Sequence, residues 1–225
     1  MDVFLVPVGS ERHELYCEVP DDPQPSEAAP ARGFLTRLVH RFREMLAEAE
    51  RQRRGRSEAP APEGWLGRVK ARTMRWVAES IAEQRLLWHL RRQTEARLFY
   101  PDDLSEEDAR LEVRRQLQRD FDKHRFWLAI DSLLFAASGL LVLIPGPNVV
   151  AYYFAFRIVG HYLSLRGARQ GLSGVAWCAE PSAPLRELRG ALDLDPATRD
   201  QQVVDIALRL QLEHLASFFR RSATA

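Results

Sequence analysis

Two apolar segments flank Pro145-Gly146-Pro147-Asn148, and this arrangement constrains the fold more than any other feature of the chain. Phe126 to Ile144 is apolar apart from Asp131, Ser132 and Ser138, while Val149 to Leu165 continues the character but carries Arg157 and His161. Pro145 cannot continue a helix, and Asn148 suits the cap of the next one. The reading is a tight helical hairpin. Such a hairpin either enters a membrane or forms the core of an α-rich domain.

Length bears on that choice. The nineteen residues from Phe126 to Ile144 rise about 28 Å as a helix, close to the roughly 30 Å of a hydrocarbon core. The second arm is shorter, since Val149 to Phe156 gives about 12 Å before Arg157 and His161 require a partner, water or the interface. Arg114, Arg115, Arg119, Lys123 and Arg125 precede the first arm, Arg166 and Arg169 follow the second, and the turn has no Lys or Arg. The positive-inside rule then places both open ends, and the termini, on the cytoplasmic side. Trp127 and Tyr162 near the open end, and Tyr152 and Tyr153 near the turn, suit membrane interfaces. These features favour a membrane-inserted or re-entrant hairpin over a soluble buried one.

Reflecting the chain about the turn sets Asp131 opposite Tyr162, next to His161. Arg157 lies about 7 Å nearer the turn, within reach of a long side chain, and shares a helix face with His161 four residues on. Asp131, Arg157 and His161 are therefore expected to form one buried polar cluster. It is either a structural ion pair that makes the hairpin tolerable to bury or a proton or cation relay.

The expected fold class is mainly α with a small antiparallel β element, the helical hairpin, and a small C-terminal helical bundle. Residues 1–20 read as a β-hairpin (Val3 to Val8 and Glu14 to Val19), and 21–32 as a flexible Pro/Ala-rich linker. Residues 33–100 read as a basic helical region interrupted by a second linker at 55–63. Residues 105–172 hold a long helix and the apolar hairpin, with Ser105-Glu106-Glu107-Asp108 as its capping signature. Residues 175–225 read as a strand followed by helices at Leu185 to Leu192, Arg199 to Leu210 and Glu213 to Arg221. Arg97 to Tyr100 and Val175 to Cys178 are further β-favouring runs, stopping at Pro101 and near Pro181, that can join the N-terminal hairpin in a sheet.

Arg32 to Arg75 carries twelve Lys or Arg against five Asp or Glu, interleaved with Phe34, Leu38, Phe42, Trp65 and Trp76. This is either a solvated helix face with apolar residues packed inward or a basic amphipathic surface for anionic lipid. Arg37, Arg41, Arg43, Arg119, Lys123, Arg125, Arg166 and Arg169 are the candidate headgroup contacts. A net charge of +1 and the lack of a recognition motif argue against nucleic acid as a partner.

Catalytic patterns are absent: the sequence holds no Gly-rich phosphate loop, nucleophile elbow, zinc-protease helix or metal-spaced His/Cys set. The expectation is a protein that is not an enzyme and uses no cofactor or metal. His13, His40, His89 and His214 read as surface or helix residues. Cys17 and Cys178 suggest neither a disulfide framework nor a zinc site, and a reducing compartment fits.

The stretch Leu98-Phe99-Tyr100-Pro101-Asp102-Asp103-Leu104-Ser105-Glu106-Glu107, then Lys123-His124-Arg125-Phe126-Trp127 with Asp131, then Pro145-Gly146-Pro147-Asn148 with Tyr152-Tyr153, Arg157 and His161 resembles the mitochondrial K+/H+ exchange-related family. Phe4-Leu5-Val6-Pro7-Val8-Gly9-Ser10 and Leu15-Tyr16-Cys17-Glu18 resemble that family's opening. The resemblance covers most of the chain outside the linkers and the extreme C-terminus. It implies a mitochondrial inner-membrane protein in fungi, linked to potassium/proton exchange, with bacterial relatives; it brings no ion-binding residues with it. Asp2-Val3-Phe4 opens directly into a strand pattern without a presequence, and the composition is rich in Arg, Ala and Pro. The expected location is therefore a bacterial inner membrane, or the mitochondrial inner membrane in a eukaryote. The expected role is a carrier subunit or regulator of potassium/proton exchange, with a membrane-anchored scaffold as the alternative. Membrane lipids are the expected partners. One hairpin is too little to line an ion path, so transport calls for a homo-oligomer or a membrane-protein partner.

Overall fold

The computed structural model describes residues 1–18, 86–139 and 149–223. The strands are β1 (Asp2–Pro7), β2 (His13–Tyr16), β3 (Glu95–Pro101) and β4 (Ala176–Ser182). The helices are α1 (Glu106–Gly139), α2 (Val149–Ser173), α3 (Ala183–Ala191), α4 (Pro196–Arg209) and α5 (Leu215–Ser222), and residues 86–90 are also helical. The described residues fall into two units. Residues 1–18, 86–123 and 165–223 belong to the first, and 124–139 and 149–164 to the second.

The first unit is built on a four-stranded sheet of order β2-β1-β3-β4. β1 and β2 form the expected antiparallel hairpin, with Leu5 opposite Leu15. The sheet as a whole is mixed, not antiparallel, because β3 runs parallel to β1 and β4 parallel to β3. The reason lies in the connections. Parallel neighbours need a long crossover, and α1 and α2 lie between β3 and β4. β4 also runs through Pro181 to Ser182, past the expected stop. As an edge strand, β4 tolerates a residue without an N–H.

β1 is an inner strand and is buried on both faces, which is why Val3 to Val8 reads as one apolar run. Its alternate side chains serve two cores. Phe4, Val6 and Val8 pack with Leu185, Leu188, Val203, Ile206, Leu215 and Phe219 of α3, α4 and α5. Val3 and Leu5 pack with Leu87, Leu90, Leu98, Ala109, Val113, Leu117 and Ala168. The three C-terminal helices pack on one another in chain order, α3 on α4 and α4 on α5, and α3 seats the group against β1 and β3. Asp195 caps α4 by accepting from the Ala197 and Thr198 amides, with Pro196 in the first turn. Ser105 caps α1, its hydroxyl accepting from the Asp108 amide at 3.1 Å, as the capping signature predicts.

Gln116 of α1 covers the outer edge of β2. Its amide donates to the His13 carbonyl at 2.8 Å and accepts from the Leu15 N–H at 3.1 Å, occupying the unpaired groups an edge strand exposes. His13 is buried in β2, not on the surface or in a helix as its isolation in the sequence suggests. Its Nε2 lies 3.0 Å from Arg189 Nη2, and Arg189 also pairs with Asp103 at 2.6 Å. A guanidinium donates only, so His13 Nε2 accepts and the ring is neutral.

The expected linkers at 21–32 and 55–63, the basic helices up to residue 85, Arg37, Arg41, Arg43, and the turn Pro145-Gly146-Pro147-Asn148 lie outside the described residues. Among the described residues no helix is long and apolar enough to cross a membrane, and the expected first arm is described only as far as Gly139. The first twenty residues of α1 are highly charged, and its fourteen residues from Phe126 to Gly139 rise about 21 Å with Asp131 among them. In α2, Arg157, Arg166 and Arg169 interrupt the apolar character.

Two predictions follow from this packing. A Cβ on Gly167 would lie 1.8 Å from the Leu87 carbonyl oxygen, whereas one on Gly190 meets nothing within 4 Å. Gly167→Ala should lower the unfolding free energy in urea by about 1–3 kcal/mol or more, while Gly190→Ala leaves it unchanged or slightly raised. Burial, then the Arg189 charge, lower the His13 pKa against weaker opposing effects of Glu112 and Asp103. The unfolded chain therefore binds the proton first as pH falls. His13 contributes stability above about pH 6.5 that is lost below it. Urea titrations at neutral and mildly acidic pH should show that loss, and His13→Gln should reduce it.

Candidate functional site

In the second unit the usual polarity of a helix pair is inverted. Phe126 is 61% exposed and Leu133 74%, with Leu134, Phe135 and Tyr153 also exposed, whereas His124 is 4% and Asp131 1% exposed. His124 and Asp131 are seven residues apart, which puts them on one face of α1. Arg157, His161 and Ser164 repeat the same spacing on α2, where Ser164 is fully buried.

A carboxylate at this depth must be paired. Arg157 Nε donates to Asp131 Oδ2 at 2.9 Å, and His161 Nε2 lies 3.3 Å from the same oxygen. Arg157 Nη1 donates to the Tyr153 hydroxyl at 3.2 Å, and its guanidinium stands 5.5 Å from the Trp127 ring and 5.7 Å from that of Tyr153. Aromatic faces offset part of the desolvation of this cation. On the other side, His161 Nδ1 is 2.8 Å from His124 Nδ1. The result is a continuous line of polar groups: Tyr153, Arg157, Asp131, His161, His124.

Asp131, Arg157 and His161, singled out from the sequence, are thus brought together. His124, Tyr153 and Trp127 join them and were missed, although the signal was present in the spacing. His124 is two turns from Asp131 on α1, and Tyr153 is one turn from Arg157 on α2. Of the described candidates for lipid headgroups, Arg119, Lys123, Arg125, Arg166 and Arg169 are all exposed. Among the described residues no group of three or more His, Cys, Asp or Glu side chains is placed to hold a metal ion.

Two helices facing inward through a carboxylate, a guanidinium and two imidazoles, and outward through aromatic and branched side chains, define a class of polar-cored helical pair. The model of the family described as mitochondrial K+-H+ exchange-related matches residues 2–172, and the chain belongs to that family. The match takes in β1, β2, β3, α1 and the polar site, and ends before β4. Among the curated proteins and the solved structures, none matches the chain significantly.

The pair's energetics can be separated by a double-mutant cycle. Asp131→Ala leaves the half-buried Arg157 beside aromatic rings without its anion and should cost about 1–3 kcal/mol. Asp131→Ala combined with Arg157→Ala should cost less than the two single changes summed, as read from thermal or denaturant unfolding.

Proposed function

We propose that the chain is a membrane-associated component of potassium/proton exchange, acting as a carrier subunit or regulator. The observation that carries this reading is the inverted polarity of the second unit. In water a fully exposed large apolar side chain forgoes about 1.5–3 kcal/mol of burial; Phe126 and Leu133 forgo most of it, and Leu134 and Phe135 a smaller part, within ten residues of one helix. Against lipid that penalty disappears. Polar groups then belong inside, where Asp131 and Arg157 compensate one another.

The charges along the sequence agree with this placement. On α1, Arg119, Lys123 and Arg125 come just before the exposed apolar stretch, and on α2 Arg166 and Arg169 come after the polar site, which suits anionic headgroups. Family membership supplies the exchange context. We place the protein at a bacterial inner membrane, or at the mitochondrial inner membrane in a eukaryotic cell. One pair of helices cannot enclose an ion path, so a second copy or a membrane-protein partner completes it. A scaffold reading is favoured by Val204 and Leu208, which are exposed one turn apart on α4, outside the residues that match the family.

Membranes from cells making the full chain, washed with alkaline carbonate, should retain it; release into the soluble fraction would contradict the membrane reading. Purified protein in liposomes should give potassium-dependent proton flux above empty vesicles, and Asp131→Asn should abolish it. Retention without flux would favour the regulator or scaffold roles over the carrier.

A further inference from the structure

Two histidine nitrogens 2.8 Å apart restrict what the pair can hold. One Nδ1 must donate and the other accept, because two lone pairs or two N–H groups would repel at this distance. While the contact persists, one proton therefore lies between the rings. A second imidazolium cannot form without breaking it.

The opposite edge of His161 meets Asp131. Nε2 is 3.3 Å from Oδ2, slightly beyond hydrogen-bonding reach and within the looseness that resting proton-transfer sites show. An ionised carboxylate accepts only, so the neutral His161 that fits here carries its proton on Nε2 and accepts at Nδ1 from His124. Among the charged and titratable groups facing the imidazoles are Asp131 from α1 and Arg157 from α2, with the Tyr153 hydroxyl behind Arg157.

We infer that His124, His161 and Asp131 form a proton-exchange site, in which the two imidazoles titrate as one unit and Arg157 balances the charge of Asp131. A proton arriving at His124 Nε2 releases the His124 Nδ1 proton to His161 Nδ1. His161 then passes its Nε2 proton to Asp131 Oδ2. Both rings end neutral with their tautomers exchanged, and one proton has been gained by the carboxyl group. The cluster changes from zero charge to +1, because Arg157 has lost its anion. Return of the proton along the same line restores the pair. This inference deepens the exchange reading by naming groups that would take up the proton. Its test does not depend on transport.

The full chain, labelled with nitrogen-15 in histidine and held in lipid nanodiscs, should be titrated by NMR from about pH 5 to 9, spanning the ordinary histidine range. His124 and His161 should show coupled steps with shared apparent midpoints. Asp131→Asn removes the terminal proton acceptor together with its negative charge, so the added proton stays on the imidazole pair and the shared step should move about one pH unit or more downward. His124→Gln should leave His161 as a single titrating group at a changed midpoint. His161→Gln provides the same test from the other side if His124→Gln misfolds. Independent titration of the two rings, with midpoints unaltered by Asp131→Asn and by either glutamine substitution, would overturn the inference. Shared titration supports it whether or not the unmodified chain moves potassium. Missing flux bears on the exchange reading alone.

Discussion

Asp131 sits at 1% exposure with Arg157 Nε 2.9 Å from its carboxylate, and the second unit depends on that contact. A buried charge without a partner costs several kcal/mol. With its partner in place, the pair fixes how α1 and α2 face one another there. A slip of one residue on either helix would turn Asp131 or Arg157 by about 100° towards the apolar outer face. Setting register is the best-attested use of buried polar pairs, and the Tyr153 hydroxyl, the Trp127 ring and the two histidines reinforce it.

One face of α1 carries two kinds of chemistry. Leu117, His124 and Asp131 follow each other at seven-residue intervals and are all buried. Ahead of them Ala109 and Val113 are buried apolar residues within the first unit. After Leu117 the buried positions become polar, while the outward positions change from arginines to Phe126, Leu133, Leu134 and Phe135. The first half of the helix therefore follows the rule for a helix in water, and the second half reverses it. This change of solvent preference along one helix is the observation behind the proposal that the second unit lies against lipid.

Much of this was legible in the sequence because the interactions involved are local or strongly typed. The capping signature at Ser105, the buried run of β1, and the antiparallel pairing of β1 with β2 all follow from short-range pattern. Reflection about Pro145-Gly146-Pro147-Asn148 was enough to bring Asp131 near Arg157 and His161, although the turn lies outside the described residues. The parallel pairing of β3 and β4 was not legible, since strand direction depends on how long connections close. His13 was misread for a similar reason: its burial comes from Gln116 and Arg189, both more than a hundred residues away. The length of the apolar run from Phe126 suggested a spanning helix; of that run the structure describes Phe126 to Gly139, which by themselves are too short to span.

The central claim is that the outward face of the second unit meets hydrocarbon and its inward face does not. A single cysteine at Leu133, with Cys17 and Cys178 replaced by serine, tests it most directly. The account predicts that a fluorophore at this position in reconstituted vesicles is quenched by nitroxides on lipid acyl chains and protected from a membrane-impermeant thiol reagent. A cysteine at Leu208 in the same background, 73% exposed in the native chain, should show the reverse. Reaction of the Leu133 position with the aqueous reagent as fast as the Leu208 position, without quenching from the acyl chains, would contradict the account.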